Sequence, residues 1–263
     1  MDQINRHILF CNCKGDRISA DKLNDIREYL EKVPFRVTIL SDLCGLAAIK
    51  RDQLKKLTGE SAEILMIGCY PRTMNLLFGQ ASGSGVTGKS LSYLNMIEST
   101  AGEVIKEVNL FCSTGPGNKL INEINEDSGW PSWYPVIDYE RCTGCGQCAD
   151  FCLFGVYEKT HKRVIVINPG GCKNQCPACA RICPSTAIIF PKYKNGGAIG
   201  GSEKIDEMAE LKRQEQDIES FLGNDIYHSL QERKLKRQSI IKEEAMKKAY
   251  REREEYLNQN RKD

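Results

Sequence analysis

The sequence lacks the features that mark membrane-spanning, nucleic-acid-binding and secreted proteins. No apolar run approaches the roughly 20 residues that a membrane-spanning helix requires. The 37 Lys and Arg residues nearly balance the 35 Asp and Glu residues, and the formal net charge is only +2. We therefore expect no nucleic-acid partner. The N-terminus has no basic stretch followed by an apolar run and a small-residue cleavage site. We expect a cytoplasmic protein without a membrane span.

Cysteine is the residue type that the sequence has in excess. The chain of 263 residues contains 13 cysteines. An odd number in a chain without a secretion signal argues against a disulfide scaffold and favours metal binding. Eight cysteines lie between residues 142 and 183, four fall in the first seventy residues, and Cys112 stands apart.

An internal repeat contains the eight clustered cysteines. WYPVIDYERCTGCGQCADFCLFGVYE aligns with VIVINPGGCKNQCPACARICPSTAIIF, and in each half apolar strands flank a cysteine loop. A Cys-x2-Cys-x2-Cys-x3-Cys run puts three thiolates in one tight loop and the fourth on the helical turn that follows. That fourth cysteine is poorly placed to bind the same cluster as the other three. In a two-fold repeat it reaches the cluster of the other half. The alternative is a pair of four-cysteine zinc sites, although these are usually built from Cys-x-x-Cys pairs.

The doubled run resembles that of bacterial two-cluster ferredoxins over residues 133–192. The resemblance implies two [4Fe-4S] clusters that move single electrons, and neither motif contains a candidate acid, base or nucleophile. Pro184 fits the family pattern, whereas Leu153 replaces a frequent proline and the spacing from Cys172 to Cys176 is one residue longer than usual. The implied ligands are Cys142, Cys145, Cys148 and Cys183 for the first cluster, and Cys152, Cys172, Cys176 and Cys179 for the second.

Residues 6–70 alternate between strand and helix, which predicts a parallel sheet in an α/β fold. HILFC, FRVTIL and AEILMIGC are predicted strands, and SADKLNDIREYLEKV and AAIKRDQLKKL are predicted helices. Ligand sites in such sheets lie beyond the carboxyl ends of the strands. Cys11 and Cys13 follow the first strand, Cys44 follows the second, and Cys69 ends the third. We therefore expect four thiols at one edge of the sheet.

The pattern CNC, DLCG and GCYPR resembles the N-terminal domain of the heterodisulfide reductase A family over residues 5–112. The resemblance implies a third [4Fe-4S] cluster held by Cys11, Cys13, Cys44 and Cys69. The flavin-binding domain of that family has no room here, because the ferredoxin region begins near residue 133. Two alternatives stay open: a thiol redox pair or zinc site, and buried cysteines that fill the core.

The remaining segments complete the predicted organisation. SLSYLNMIES is a predicted helix, and EVNLFC is a predicted strand ending in Cys112, which we interpret as a core residue. Arg72 is a candidate donor to cluster sulfur or a partner for a surface acid. The predicted segments are an α/β domain (1–112), a linker (113–132), a two-cluster ferredoxin domain (133–192), a flexible loop (193–202) and a charged helical tail (203–263).

Two further motifs carry weaker signals. GSGVTGKS (83–90) fits the P-loop and dinucleotide patterns, but TMNLLFGQA before it is a poor strand and no apolar strand ending in Asp follows. We expect no nucleotide binding there. Gly223 is predicted to divide the tail into two helices, which are interpreted either as solvated helices or as a docking element for a partner protein.

The sequence thus predicts an iron–sulfur protein that relays electrons to or from a partner oxidoreductase. The alternative is a ferredoxin-fed thiol/disulfide oxidoreductase that uses Cys11 and Cys13. In the first interpretation the chain has no catalytic residue of its own and serves as an electron carrier or as one component of an oxidoreductase complex.

Overall fold

The structure of the protein is a computed structural model, which describes residues 6–13, 15, 17–59, 63–82, 90–113, 118–126, 128–161, 163–222, 247 and 251. Met1–Glu210 belong to one compact unit and Leu211–Asp263 to a second. The GSGVTGKS motif, apart from Ser90, and the predicted second helix of the tail, apart from residues 247 and 251, lie outside the described residues. None of the helices within the described ranges is long and apolar enough to cross a membrane.

A parallel sheet of five strands confirms the predicted α/β fold of the N-terminal part. The strands are β1 (Arg6–Cys11), β2 (Arg36–Leu40), β3 (Glu63–Gly68), β4 (Ser90–Asn95) and β5 (Leu120–Ile124). Their spatial order is β4-β3-β1-β2-β5, and Phe10 of β1 lies opposite Ile67 of β3 while Cys11 lies opposite Leu40 of β2. The chain passes from β1 to β2 on one side and then to β3 on the other. The carboxyl ends of β1 and β3 therefore flank a topological switch point, where open α/β sheets bind ligands.

Helices cover both faces of this sheet. They are α1 (Ala20–Leu30), α2 (Leu43–Ile49), α3 (Arg51–Gly59), α4 (Pro71–Ser82) and α5 (Ala101–Ser113). Side chains of β1 alternate between the two cores: Ile8 and Phe10 pack with α1 and α5, whereas Leu9 and Cys11 pack with α2, α3 and α4. Both faces of the strand are buried, which explains its continuous apolar sequence.

Local signals explain the bounds of the predicted helices. Ser19 caps α1, its hydroxyl accepting from the Lys22 N–H at 3.4 Å. The apolar residues of α1 at helical spacing are buried, as predicted. The second predicted helix is divided at Lys50 into α2 and α3.

Three sequence assignments are wrong. SLSYLN forms β4 rather than a helix, because Leu91 and Tyr93 pack against one core while Leu94 packs against the other. EVNLFC belongs to α5, so Cys112 lies in the last turn of a helix and not at the end of a strand. The predicted linker contains β5, which pairs with β2 at the sheet edge. Its polar, half-exposed side chains are typical of an edge strand. The sequence of β5 therefore lacks the apolar pattern from which a strand is predicted.

The ferredoxin repeat consists of short elements. Its strands are β6 (Val136–Ile137), β7 (Tyr157–Lys159), β8 (Val164–Val166) and β9 (Ile188–Ile189), its helices are α6 (Gln147–Phe151) and α7 (Ala178–Arg181), and a 3-10 turn spans Pro169–Gly171. β6 pairs with β9 and β7 with β8, both antiparallel. Helix α8 (Glu207–Leu222) follows, within the segment predicted to be a charged helical tail.

The β6–β9 pair separates two cores. Val136 and Ile189 face the apolar core between the sheet and α2, α3 and α4. Their neighbours Ile137 and Ile188 face the ferredoxin core. Each strand of the pair therefore contributes to both cores through alternate residues.

The segment 193–202, predicted to be a flexible loop, is a set of packed turns. Ala198 and Ile199 are each only 3% exposed, and the Phe190 N–H donates to the Ile199 carbonyl at 2.7 Å. A Cβ at Gly201 would lie 1.8 Å from Thr73 Oγ1. The glycine there permits close contact with α4, and the prediction of flexibility is wrong.

Candidate functional site

The first ferredoxin set lies around one cavity after β6. Gly144 (φ 73°) and Gly146 (φ 83°) adopt left-handed backbone conformations that allow the chain to fold tightly around it. Cys148 is in the first turn of α6, and Cys183 follows α7. We call the cysteines that line this cavity site 1: Cys142, Cys145, Cys148 and Cys183.

Apolar groups surround site 1. The cavity is also lined by Ile137, Val164, Pro184, Ala187 and Ile188. Burial, together with the charges of the other three thiols of the site, raises the pKa of the Cys148 thiol to about 11. A metal bound here therefore replaces a proton on Cys148.

The second set contains the fourth cysteine of the first motif. Burial, and then the charges of Cys176 and Cys152, raise the pKa of Cys172 to about 12. Burial also raises the pKa of Cys179 to about 12, with Cys172 and Cys152 contributing. Cys152 thus lies beside the second motif, just as Cys183 lies with the first. We call this set site 2: Cys152, Cys172, Cys176 and Cys179.

A tyrosine that the sequence analysis did not identify contacts site 2. The Tyr157 hydroxyl donates to Cys179 Sγ at 3.0 Å. Burial raises the pKa of Tyr157 strongly, and the charge of Cys179 raises it further. The only sequence signal is its position in the strand after the first motif, where the other half of the repeat has Ile188.

The two departures from the ferredoxin pattern occupy turns at the surface. Gln175, in the lengthened loop, has a φ of 60°. Leu153, at the position of the frequent proline, is 86% exposed. Both positions therefore tolerate these departures without disturbing a core.

The N-terminal quartet consists of the four predicted thiols at the carboxyl edge of the sheet. Cys11 ends β1, Cys13 follows it, and Cys69 follows β3. Cys44 is in the first turn of α2, where its N–H donates to Asp42 Oδ1 at 3.1 Å. The thiols influence one another's pKa values, as groups gathered in one place do.

The thiols of the quartet differ sharply in acidity. A hydrogen bond from the Cys11 thiol lowers the pKa of Cys13 to about 7 and raises that of Cys11. Burial raises the pKa of Cys44, and burial raises that of Cys69 to about 12. Cys13 is therefore the most acidic of the four.

A lysine from the ferredoxin region lies beside the quartet. Lys192 Nζ donates to Asp42 Oδ2 at 2.6 Å and to the Pro131 carbonyl at 3.1 Å. Its positive charge helps to lower the pKa of Cys13, whereas the charge of Asp42 raises it. The sequence does not indicate this contact, because Lys192 follows the second cysteine motif and is far from Asp42 in the chain.

Cys172 connects the two regions. It packs against the core that contains Cys11 and Cys44, and it also packs against the ferredoxin core. Cys13 and Cys69 pack against the first of these cores as well. Site 2, through Cys172, and the N-terminal quartet therefore border the same core.

Comparisons with known proteins agree with the geometry of the repeat. The pattern of the 4Fe-4S binding domain matches residues 135–155. The chain is 33% identical over 70 residues to the pyruvate synthase subunit PorD of Methanothermobacter marburgensis, a match that covers 27% of this chain and 80% of that subunit. The chain belongs to the 4Fe-4S ferredoxin family.

Two more relatives of this ferredoxin-family protein are ferredoxins by name. An uncharacterized ferredoxin of Methanocaldococcus jannaschii is 47% identical over 64 residues, which cover 24% of this chain and 44% of the relative. Ferredoxin-3 of Nostoc sp. is 29% identical over 83 residues, which cover 25% of this chain and 84% of that ferredoxin. The chain thus spans less than half of the archaeal ferredoxin's length.

The residues of this ferredoxin fit the cluster that the family binds. [4Fe-4S] clusters are held by four cysteine thiolates in surroundings of low polarity, and site 1 has four thiols and an apolar lining. Within the described ranges, no three His, Cys, Asp or Glu side chains converge to hold a single metal ion.

Two other candidate residues have structural contacts. Arg72 Nη2 and Nε lie 2.9 and 3.0 Å from Asp138 Oδ2, and the two side chains are 11% and 8% exposed. The acid that pairs with Arg72 is thus buried, and not at the surface as expected. Cys112, in α5, packs against the core of α1 and α5, which agrees with its interpretation as a core residue.

Proposed function

We propose that this iron–sulfur electron carrier relays single electrons between a partner oxidoreductase and its own N-terminal quartet. Two [4Fe-4S] clusters at sites 1 and 2 carry the electrons. The observation that carries the proposal is the exchange of fourth cysteines: Cys183 lines the cavity of the first motif, and Cys152 acts on the thiols of the second. This arrangement suits two adjacent clusters in a two-fold repeat.

The contacts of Cys172 support a route from site 2 to the quartet. Cys172 packs against both cores, and Cys13 and Cys69 pack against one of them. A route for electrons from site 2 therefore leads into the core that the N-terminal thiols border. Site 1 takes the position farther along the relay and exchanges electrons with the partner.

We propose that the quartet holds a third [4Fe-4S] cluster. Four thiols at the carboxyl ends of three strands are the ligand number that such a cluster needs. The resemblance to the heterodisulfide reductase A family points to the same cofactor. Core filling alone does not require the Asp42–Lys192 ion pair, whose charges act on the Cys13 thiol.

The partner is proposed from the relatives. PorD is by name a subunit of pyruvate synthase, an oxidoreductase. The proposed partner of this chain is likewise an oxidoreductase that exchanges single electrons with it. We expect the chain to act as its electron-transfer component or carrier, in the cytoplasm.

Iron analysis with EPR of the chemically reduced protein tests the proposal. Three clusters predict about 12 irons per chain, and sites 1 and 2 alone predict about 8. The variant Cys11→Ser/Cys13→Ser should fall from about 12 to about 8 irons. Cys112→Ser is the matched control and should keep the wild-type content. Absence of iron after anaerobic reconstitution would disprove the relay.

A second candidate function rests on the acidity of Cys13. A thiol with a pKa of about 7 beside Cys11 is suited to thiol–disulfide exchange. The two thiols would give two electrons and two protons to a disulfide substrate and form a disulfide, which two single electrons from the clusters and two protons would reduce again. Alkylation of Cys11 and Cys13 without loss of iron would favour this function over the third cluster.

A further inference from the structure

One pair of equivalent positions places different chemical groups at the two ferredoxin sites. Tyr157 occupies in the first half of the repeat the position that Ile188 occupies in the second. The Tyr157 hydroxyl donates to Cys179 Sγ at 3.0 Å in site 2. Ile188 lines the cavity of site 1 and has no hydrogen-bond donor in its side chain. The repeat thus places a phenol at one site and an alkyl group at the other.

Site 1 has different donors to sulfur. The Ala187 N–H donates to Cys183 Sγ at 3.3 Å, and Ser185 Oγ lies 3.6 Å from the same sulfur. These two groups contact Cys183, whereas the Tyr157 hydroxyl donates to Cys179. The hydrogen-bonding surroundings of the two sites are therefore set by separate residues, and each can be altered independently.

A hydrogen bond to a ligand sulfur changes the reduction potential of a cluster. The donor stabilises negative charge on the sulfur, and this charge is greater after the cluster gains an electron. The donor therefore favours the reduced form and raises the potential. The partial burial of this hydrogen bond strengthens the effect, because water competes less for the sulfur.

We propose that Tyr157 is a positioning residue that selectively raises the reduction potential of the cluster at site 2. The inference rests on the proposed function, which puts a [4Fe-4S] cluster at each ferredoxin site. The redox step is the gain of one electron by site 2 from a low-potential one-electron donor, and the phenol keeps its proton throughout. Since Cys172 of site 2 packs against the core that contains Cys11 and Cys44, Tyr157 favours an electron at the site that borders this core.

The test is a redox titration of reconstituted Tyr157→Phe, followed by EPR and by iron analysis. The phenyl ring keeps the packing and removes the hydrogen bond. We expect one midpoint potential to become more negative and the other to stay unchanged. The reduction equilibrium of that cluster should fall by about threefold to tenfold, and tenfold corresponds to about 59 mV for one electron.

Tyr139→Phe is the matched control. The Tyr139 hydroxyl donates to the Val164 carbonyl at 3.1 Å and not to a cysteine, so its removal should leave both potentials unchanged. Three results would overturn the inference: unchanged potentials in fully loaded Tyr157→Phe, an equal shift of both potentials, or loss of iron from this variant while the wild type keeps its clusters. Failure of the wild type itself to bind iron would instead refute the proposed function.

Discussion

The ferredoxin sites and the N-terminal quartet each gather four cysteines, but they do so at different levels of structure. In sites 1 and 2, three of the four cysteines come from one short loop and its helical turn. In the quartet, the cysteines come from the ends of three strands that the sheet brings together. The spacing of residues defines the first kind of site. The topology of the fold defines the second.

The two regions also differ in what supports them. The quartet lies on a sheet with apolar cores on both faces, so we expect this sheet to fold without a metal. The ferredoxin strands have only two or three residues each. Short elements of this kind obtain much of their stability from the bound metal. Loss of a cluster should therefore have unequal structural effects in the two regions.

The largest expected effect comes from removing one ligand in each region. Cys183→Ser should remove about four irons and destabilise the ferredoxin repeat, whereas Cys69→Ser should remove about four irons and leave the sheet folded. Iron analysis combined with amide hydrogen exchange measures both effects. Cys112→Ser should change neither quantity. Equal loss of protection in the sheet and in the repeat would contradict the distinction between the two regions.

The second effect concerns the Arg72–Asp138 ion pair, which joins the sheet region to the ferredoxin repeat. Arg72 lies in the first turn of α4, shortly after Cys69, and Asp138 follows β6 just before site 1. Arg72→Met leaves a buried carboxylate without its partner, and we expect the free energy of unfolding to fall by about 3–5 kcal/mol. Chemical denaturation of the loaded protein measures this change.

A double-mutant cycle with Asp138→Asn identifies the cause of that loss. The double variant has no unpaired buried charge and should regain part of the stability that Arg72→Met loses. Arg27→Met is a suitable control, since the Arg27–Glu31 pair is exposed to solvent and should contribute less than about 1 kcal/mol. A similar loss for Arg27→Met and Arg72→Met would argue against the importance of burial.

The smallest effect is the pH dependence of alkylation in the iron-free protein. The pKa of Cys13 is lowered to about 7, so its reactive thiolate predominates at pH 8 and is lost as the pH falls towards 6. The alkylation rate should fall about tenfold between these pH values. Mass spectrometry of the labelled peptides distinguishes Cys13 from Cys69, whose pKa of about 12 keeps it protonated throughout. Lys192→Met should raise the pKa of Cys13 and shift the profile to higher pH.

Local patterns account for what the sequence predicted correctly. β1, β2 and β3 are continuous apolar runs, and α1 has both its cap and its buried stripe. The predicted secondary structure was wrong where pairing between strands outweighs the local sequence pattern. β4 resembles a helix in its apolar spacing, and β5 is a polar edge strand that is recognisable only by its pairing with β2.

The residues of the candidate sites likewise divide into those that local spacing predicts and those that only the tertiary fold brings to the site. Spacing alone predicted which cysteines belong to each motif, because these cysteines are close in sequence. Tyr157 and Lys192 were not identified, since each approaches its thiol only through tertiary folding. No property of an isolated tyrosine or lysine in the sequence distinguishes these two from their neighbours.

The β6–β9 pair has a consequence for any attempt to separate the ferredoxin repeat from the sheet. Val136 and Ile189 would lose their covering on excision, and an apolar surface would be exposed to water. Deletion of one residue at the start of β6 would be more damaging, because it would exchange the residues that face the two cores. The two halves of this protein therefore share a single register, and neither can be shifted or transplanted without rebuilding the other.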